Sequence, residues 1–406
     1  MKSKYQKVKG TFDITPENMS GWTEAKNRLY DLAEIFGYKE IITPSIEYRE
    51  LFEHSAGESV DVTKEMFSWK DLNDKEICLK PEMTAPVVRA FIESGLYRSE
   101  PLSKFFYFDS LFRREKPQKG RQRQFHQFGV EVFGSYSSEQ DAEVILFAIE
   151  AMKKLQIKEC NLKINNIGTA DTRNVFAKHL KQFLKDKHSQ LSPSALEKME
   201  SNPIRILDSK FIEDVEALKG GPTISDFLSI EDKNNFINLQ SHLNSLGIKF
   251  SINTSLVRGL DYYNGNVFEV VQNDNRSQNA ICGGGRYDSL VEQFGGPKTG
   301  AVGFAAGFER MLLASKVSYE QLNKGKVYVG LHQGNNDLSF IKELVTLEHP
   351  FLIDTSDKSI RNKFKKSQKL GFSMFLDLES ITITDHGTQK EIKLQNITHL
   401  KDLLNK

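Results

Sequence analysis

The stretch from Phe112 to Glu131 holds the densest run of residues able to do chemistry: Arg113, Arg114, Glu115, Lys116, Gln118, Lys119, Arg121, Arg123, Phe125, Gln127 and Glu131. A guanidinium at a strand end can hold a phosphate through two parallel hydrogen bonds, and a basic loop can meet a nucleic-acid backbone. A solvated hairpin tip carries similar charges. The alternation of Gln127, Gly129 and Glu131 separates the two readings. On a strand these three share one face, where a half-buried strand should pack apolar groups, so that face reads as the floor of a site.

Four further clusters matter. Arg258-Gly259-Leu260-Asp261-Tyr262-Tyr263 stands just ahead of a strand pattern; if it is extended, the tyrosines point in opposite directions and at most one lines a pocket with Arg258. Cys282-Gly283-Gly284-Gly285-Arg286-Tyr287-Asp288 permits close backbone approach or a bend, but lacks the Lys-Ser/Thr of a phosphate loop and the last glycine of a dinucleotide fingerprint. Gly300 to Arg310 is a run of small residues that lets a strand and a helix approach, with Arg310 near the helix start. Leu79 to Pro86 sets Glu82 and Thr84 two apart, able to face the same way and hold an ammonium group, while its two prolines equally permit a plain turn. Together these supply guanidiniums for a polyphosphate and carboxylates for a small cation, which points to nucleotide chemistry on an antiparallel sheet.

The elements that must position them are legible in part. Trp22, Ala25, Leu29, Leu32, Ala33 and Phe36 recur at helical spacing, with Gly37 as the stop. Tyr38 to Ile42 reads as a strand closed by Pro44. Lys104 to Leu111 and His126 to Phe133 read as a long antiparallel hairpin, and Asn266 to Val271 as another strand. From about 171 to 249 the texture turns to polar helical segments broken by Pro193, Pro203 and Gly220-Gly221-Pro222, an inserted helical module. A helix from Gly307 to about Ser315 precedes a linker, the strand Val327 to Leu331 and a small terminal α/β domain.

The whole chain is consistent with this plan. Its 406 residues exceed the usual single core, so two or three domains are expected. Hydrophobic residues at 39% and charged residues at 27% argue against disorder. No apolar run is long enough to span a bilayer and the start is too polar for a signal core, which leads us to expect a cytoplasmic protein without membrane contact. Cys78, Cys160 and Cys282 show no paired spacing and the histidines no HExxH, so neither a disulfide scaffold nor a dedicated metal site is expected. A net charge of +1 means that nucleic-acid binding must come from local patches.

On these motifs, from Lys9 to about Leu313, the sequence resembles the histidyl-tRNA synthetases. Phe112 to Glu131 resembles the family's motif 2, Arg258 to Tyr263 and Gly283 to Asp288 its two histidine signatures, Gly300 to Arg310 motif 3, and the helix and strand ending at Pro44 the motif 1 that builds a homodimer. The resemblance implies an α+β fold: a class II antiparallel-sheet catalytic domain over 1–320 and a shortened anticodon-binding-like α/β domain over 326–406. It implies that Glu82, Thr84 and Gln127 hold the histidine ammonium and that Glu131 and Tyr263, with Tyr262 beside them, line the imidazole pocket. Arg113 and Arg258 would clasp the α-phosphate and the reacting carboxylate. Arg310 and Glu115 would place ATP, and Phe125 would stack on adenine. Lys116, Gln118, Lys119 and Arg123 would meet tRNA(His), with Arg121 on ATP or tRNA. ATP, L-histidine and Mg2+ are the implied small molecules, although no residue declares a magnesium cage. Lys80 and Met83 stand where many relatives show arginine and glycine; Met83 would point away from substrate on a regular strand. The alternative, a synthetase-like regulatory subunit of ATP phosphoribosyltransferase, typically lacks the arginines kept here at 113, 258 and 310.

Overall fold

A computed structural model describes residues 4–56, 64–115, 121–272, 280–317, 325–332, 339–346 and 349–394. The chain divides into two units, residues 1–13 with 25–317 and residues 14–24 with 318–406. Among the described residues no helix is long and apolar enough to cross a membrane.

The first helix, α1 (Pro16–Ile35), starts earlier than the apolar spacing predicts, because proline is well tolerated in a first helical turn. It ends as expected. Gly37 adopts φ +74°, and the Tyr38 amide returns to the Ala33 carbonyl at 2.9 Å. Beyond it, β1 (Lys39–Glu40) is only a short edge strand running parallel to β5 (Ser103–Phe112). Three short strands, β2 (Ile46–Tyr48), β3 (Ser68–Lys70) and β4 (Glu76–Leu79), form a small antiparallel sheet. The helices α2 (Arg49–Ala56), α3 (Thr84–Glu93) and α4 (Leu96–Ser99) complete this stretch.

The main sheet is built from β5, β6 (Gln124–Phe133), β7 (Cys160–Asn166), β8 (Phe250–Ile252), β9 (Asn264–Gln272), β10 (Ala280–Arg286) and β11 (Ala301–Gly307), with β1 at one edge. Its order is β1-β5-β6-β11-β10-β9-β7-β8. The six strands from β5 to β7 in that order pair antiparallel, and the parallel pairings are confined to the two edges. The predicted hairpin is present, from Ser103 opposite Phe133 to Phe112 opposite Gln124. The glycine run of β10 is a strand and not a bend, although glycine weakens strands in isolation; its neighbours on both sides impose the extended form.

The sheet's two faces differ. Phe128 and Phe304 face α5 (Ser138–Lys154), where the Phe147 ring centroid lies 6.0 and 5.8 Å from theirs, and Val144, Ala148 and Ala151 of the same helix are buried. On the opposite face Phe105, Tyr107 and Phe133 join a core that continues into the helical segment through Phe176, Leu180, Leu184 and Ile206. That segment comprises α6 (Ala170–Lys185), α7 (Pro193–Ser201), α8 (Ile212–Leu218) and α9 (Ile230–Ser245). Three of its helices start where Thr169, Ser192 or Ser229 accepts a hydrogen bond from a first-turn amide. After α10 (Leu290–Gln293), β11 runs into α11 (Phe308–Ala314).

The second unit has a sheet of order β13-β12-β14-β15-β16: β12 (Val327–Gly330), β13 (Phe351–Asp354) and β14 (Met374–Asp377) are parallel, while β15 (Thr382–Asp385) and β16 (Glu391–Lys393) are antiparallel. One face packs Val327, Val329, Leu344 and Leu376 with α12 (Ser339–Thr346); the other packs Tyr328 and Phe375 with Phe364 of α13 (Ile360–Lys369). The expected α+β architecture, with a small terminal α/β layer, is therefore borne out.

Because Phe147 is fully buried between the sheet and α5, truncating it to alanine should lower unfolding free energy by about 3–5 kcal/mol. A denaturant midpoint shifted by less than a third of that would show that α5 does not hold the sheet through this ring.

Candidate active site

Register places Glu131 and Gln127 on the α6-side face of the sheet. One cross-strand row reads Phe105, Glu131, Gly303, Gly285, Val267; the next reads Tyr107, Gly129, Ala305, Gly283, Glu269; the third begins Asp109, Gln127, Gly307. The glycines are spaces. A Cβ on Gly303 would lie 1.8 Å from Glu131 Oε2, one on Gly283 would lie 2.4 Å from both Arg258 Nη atoms, and one on Gly129 would lie 2.3 Å from the Tyr107 hydroxyl. Glu131, Arg258 and Tyr107 thus lie flat on backbone.

Glu131 is 1% exposed and accepts from Thr84 Oγ1 at 2.7 Å, from the Tyr107 hydroxyl at 3.4 Å and from the Tyr287 hydroxyl. Burial pushes its carboxyl up to about 8, against the hydroxyl hydrogen bonds that favour the anion. Glu82, also buried, receives the amides of Thr84 and Ala85 at 2.7 and 2.8 Å, the first turn of α3. Burial raises its pKa too, and those amides and Arg113 oppose the rise.

The expectation that Glu82 and Thr84 share a face of an extended segment needs correction. β4 ends at Leu79, and Glu82 works as a carboxylate cap on the helix that Thr84 begins. Met83 is accordingly not on a regular strand; it is buried, with its sulfur 4.0 Å from Thr43 Oγ1. A second correction concerns Tyr262 and Tyr263. Their backbone is turned, not extended, so both rings are buried together, centroids 4.8 Å apart, and both lie within 6.4 Å of the Tyr287 ring. Burial lifts the Tyr262 phenol well above its ordinary value and Tyr263 to about 12, the latter opposed by Arg258.

Beside this acidic and phenolic pocket stand the guanidiniums. Arg258 pairs with Glu269 at 3.0 Å and lies 5.8 Å from the Tyr263 ring centroid. Arg113 donates through Nε to the Pro81 carbonyl at 2.9 Å and sits 5.3 Å from the Phe125 ring centroid. Glu115 accepts from Arg121 at 3.0 Å and lies 3.8 Å from Arg113. Arg310 reaches the Ala280 carbonyl at 3.2 Å; burial lowers its pKa, and repulsion from Arg121 and Arg113 adds to that. Guanidiniums close enough to repel one another make a site that a polyanion would relieve. Gln127 takes its place on the same face, opposite Asp109 and Gly307.

In the basic loop, Arg123 is tied by its backbone to Gly10 and Arg113, and among the described residues its buried Nε has no hydrogen-bond partner. Lys116, Gln118 and Lys119 lie outside the described residues.

Sequence reasoning missed several participants. Tyr107 stands two residues before Asp109 on the same strand face, and Glu269 is the one acid of β9, so both carried a signal. Lys80 stands out in the sequence only as a departure from relatives; its fully buried ammonium donates to the Thr43 carbonyl at 2.9 Å and to Asp109 at 2.6 Å, joining the end of the first motif to the hairpin. Arg286 belongs outside the pocket. Its guanidinium is buried between Asp141 at 2.8 Å and Asp288 at 3.0 Å, with the Ser135 and Ser137 carbonyls as further acceptors, and it anchors the turn that presents Tyr287.

An antiparallel six-stranded sheet, a long hairpin bearing one arginine and a strand-to-helix turn bearing another define the catalytic core of a class II aminoacyl-tRNA synthetase, an ATP-dependent ligase. The profile of the histidyl-tRNA synthetase family matches residues 10–311. The chain is 40% identical over 395 residues to the chloroplast histidine–tRNA ligase of Gracilaria tenuistipitata var. liui, covering 95% of this chain and 93% of that one. It is 38% identical over 415 residues to the histidine–tRNA ligase of Clostridium novyi, covering 98% and 99%. The crystal structure of the apo S. aureus histidyl-tRNA synthetase superposes with a TM-score of 0.79 at 28% identity, covering 99% of this chain and all of that one. The chain therefore belongs to the histidyl-tRNA synthetase family.

Because Glu131 titrates higher folded than unfolded, it contributes stability that is complete below its ordinary value of 4.5 and is lost as pH rises to about 8. The slope is up to roughly 1.4 kcal/mol per pH unit. Glu131→Gln should flatten this decline in the histidine-free protein. Thermal unfolding at pH 5 and pH 8 measures it, and an unchanged difference between the two pH values would place the titration elsewhere.

Proposed function

We propose that this histidine–tRNA ligase selects histidine with Glu131, Tyr263 and Tyr262, and holds its ammonium with Glu82, Thr84 and Gln127. A carboxyl and a phenol match the two ring nitrogens of an imidazole, and a competitor lacking those nitrogens leaves buried polar groups unpaired. An imidazole N–H placed beside Glu131 would favour the carboxylate that burial disfavours. Arg113 and Arg258 receive the α-phosphate and the histidine carboxylate. Arg310, Glu115 and Arg121 place the remaining phosphates, and Phe125 stacks on adenine.

The carboxylate oxygen attacks the α-phosphorus in line. A new phosphorus–oxygen bond forms while the bond to the bridging oxygen breaks, so pyrophosphate leaves and histidyl-adenylate remains. The nucleophile is already ionised at neutral pH, so this step needs no protein base and depends on placement and charge stabilisation. The terminal ribose hydroxyl of tRNA(His) then attacks the carbonyl carbon and AMP departs. ATP enters as its magnesium complex. Glu115, 3.8 Å from Arg113 and paired with Arg121, is a carboxylate that would help to hold that ion beside the phosphates.

Arg123 and the flanking Lys116, Gln118 and Lys119 are assigned to the acceptor end of the tRNA. The terminal unit is assigned to the anticodon; the exposed Arg361, Lys365 and Lys369, four residues apart along α13, suit a phosphate backbone. A homodimer through the first motif accords with exposed Ile35, Ile42, Ile46 and Trp69 near α1 and the small sheet. Work in the cytoplasm fits this assignment.

The observation that carries the reading is the convergence of the Glu82, Thr84 and Glu131 pocket with Arg258 on one sheet face, Tyr263 sensing both charges. Histidine-dependent exchange of pyrophosphate into ATP tests it. Arg258→Ala should slow exchange by roughly 100- to 1,000-fold with a smaller change in KM for histidine. Folded Arg258→Ala protein exchanging at the rate of the unaltered chain would sink the assignment.

A further inference from the structure

The loop from Asn253 to Tyr263 joins β8 to β9 and carries Arg258, Tyr262 and Tyr263, yet it has no ladder to hold its shape. Its carbonyls are taken up by side chains from other elements. Asn165 of β7 donates to the Leu256 carbonyl at 3.0 Å. Arg205, in the 3-10 turn Pro203–Asp208 between α7 and α8, donates to the Gly259 carbonyl at 2.7 Å and to Asp261 Oδ1 at 3.1 Å. Arg173 of α6 donates to the Tyr263 carbonyl at 2.7 Å and the Asp261 carbonyl at 3.5 Å. Both arginines come from the helical segment, and between them they grip the backbone just after Arg258 and through to Tyr263.

A guanidinium holds its N–H donors in one rigid plane: Arg205 serves two acceptors through Nη2 and Arg173 two carbonyls through Nη1 and Nη2, so each arginine fixes two acceptors relative to one another. Arg258 depends on that. Its guanidinium is tethered to Glu269, and among the described residues its buried Nε has no hydrogen-bond partner. The direction of its stem is therefore set by the backbone of the loop. A site that works by placement tolerates errors of only about half an ångström.

We propose that Arg205 and Arg173 are positioning residues for adenylate formation, and that clamping the Arg258 to Tyr263 loop is a task of the helical insertion. The proposal rests on the assignment of Arg258 made above. Arg205 acts through the Gly259 carbonyl and the Asp261 carboxylate, and Arg173 through the Asp261 and Tyr263 carbonyls, of the loop that carries Arg258.

The experiment is histidine-dependent pyrophosphate exchange by Arg205→Met and Arg205→Lys in the full chain, with active sites counted from the burst of adenylate. The Met variant should lose roughly 10- to 100-fold in kcat per active site while KM for ATP stays within about threefold, since misplacement strikes the transition state more than nucleotide binding. Lysine keeps N–H donors on a single nitrogen but lacks the rigid planar geometry of the guanidinium, so its rate per site should fall between the two. Rates per site and histidine KM equal to those of the unaltered chain, with only a lower Tm or fewer active sites, would overturn the clamp. Should the Met variant fail to fold, Arg205→Lys and Arg173→Lys decide the matter: a reduced rate per site in both supports the clamp, and an unaltered rate in both overturns it. An unaltered chain that shows no exchange at all would strike the assignment of the site itself, and the clamp with it.

Discussion

Glu131 and Arg258 lie on a sheet that has no side chains beneath them. Gly303 and Gly283 leave backbone surface where any Cβ would collide with the carboxylate or the guanidinium. That constraint governs much else. It requires strands β10 and β11 to be glycine-rich, which makes them poor strands in isolation, so they must be held extended by β9 on one side and β6 on the other. The aromatic layer beneath α5 on the opposite face gives that arrangement its rigidity.

Charge burial follows from the same geometry. A carboxyl on a dry sheet face is driven towards neutrality, and the hydroxyls of Thr84, Tyr107 and Tyr287 only partly offset the loss of water. Glu82 solves a similar problem with two helix amides. The free pocket is thus strained in its ionisation, and a ligand supplying N–H groups relieves it. The guanidiniums show the mirror image: Arg113, Arg121 and Arg310 crowd one another, with Glu115 as a partial counter-ion. On the proposed assignment, selectivity for a polar ring and affinity for a polyphosphate both come from like charges and buried carboxyls held close together.

Other charged side chains hold the frame. Arg286 closes a buried network with Asp141, Asp288 and Asn266, and Lys80 ties Thr43 to Asp109. Arg173 and Arg205 hold a loop. In each case a long cation satisfies carbonyls or carboxylates that no ladder reaches, which is how irregular backbone is kept in one conformation inside a core.

Much was settled by the sequence alone. The period-2 alternation of Gln127, Gly129 and Glu131 marked a polar sheet face, the hairpin strands were readable from their β-branched and aromatic content, and Gly37 marked the end of α1. These features are local, and local spacing determines which side chains share a face. What only the tertiary structure decided was which faces meet. The turn at Gly259 to Tyr262 brings both tyrosines to one pocket, Glu82 caps a helix instead of lying on a strand, and Arg286 leaves the pocket for a buried ion pair. Contacts between segments distant in the chain set those outcomes, and cross-strand register did the same for the glycines: each is a spacer or a floor according to the residue that lies opposite it.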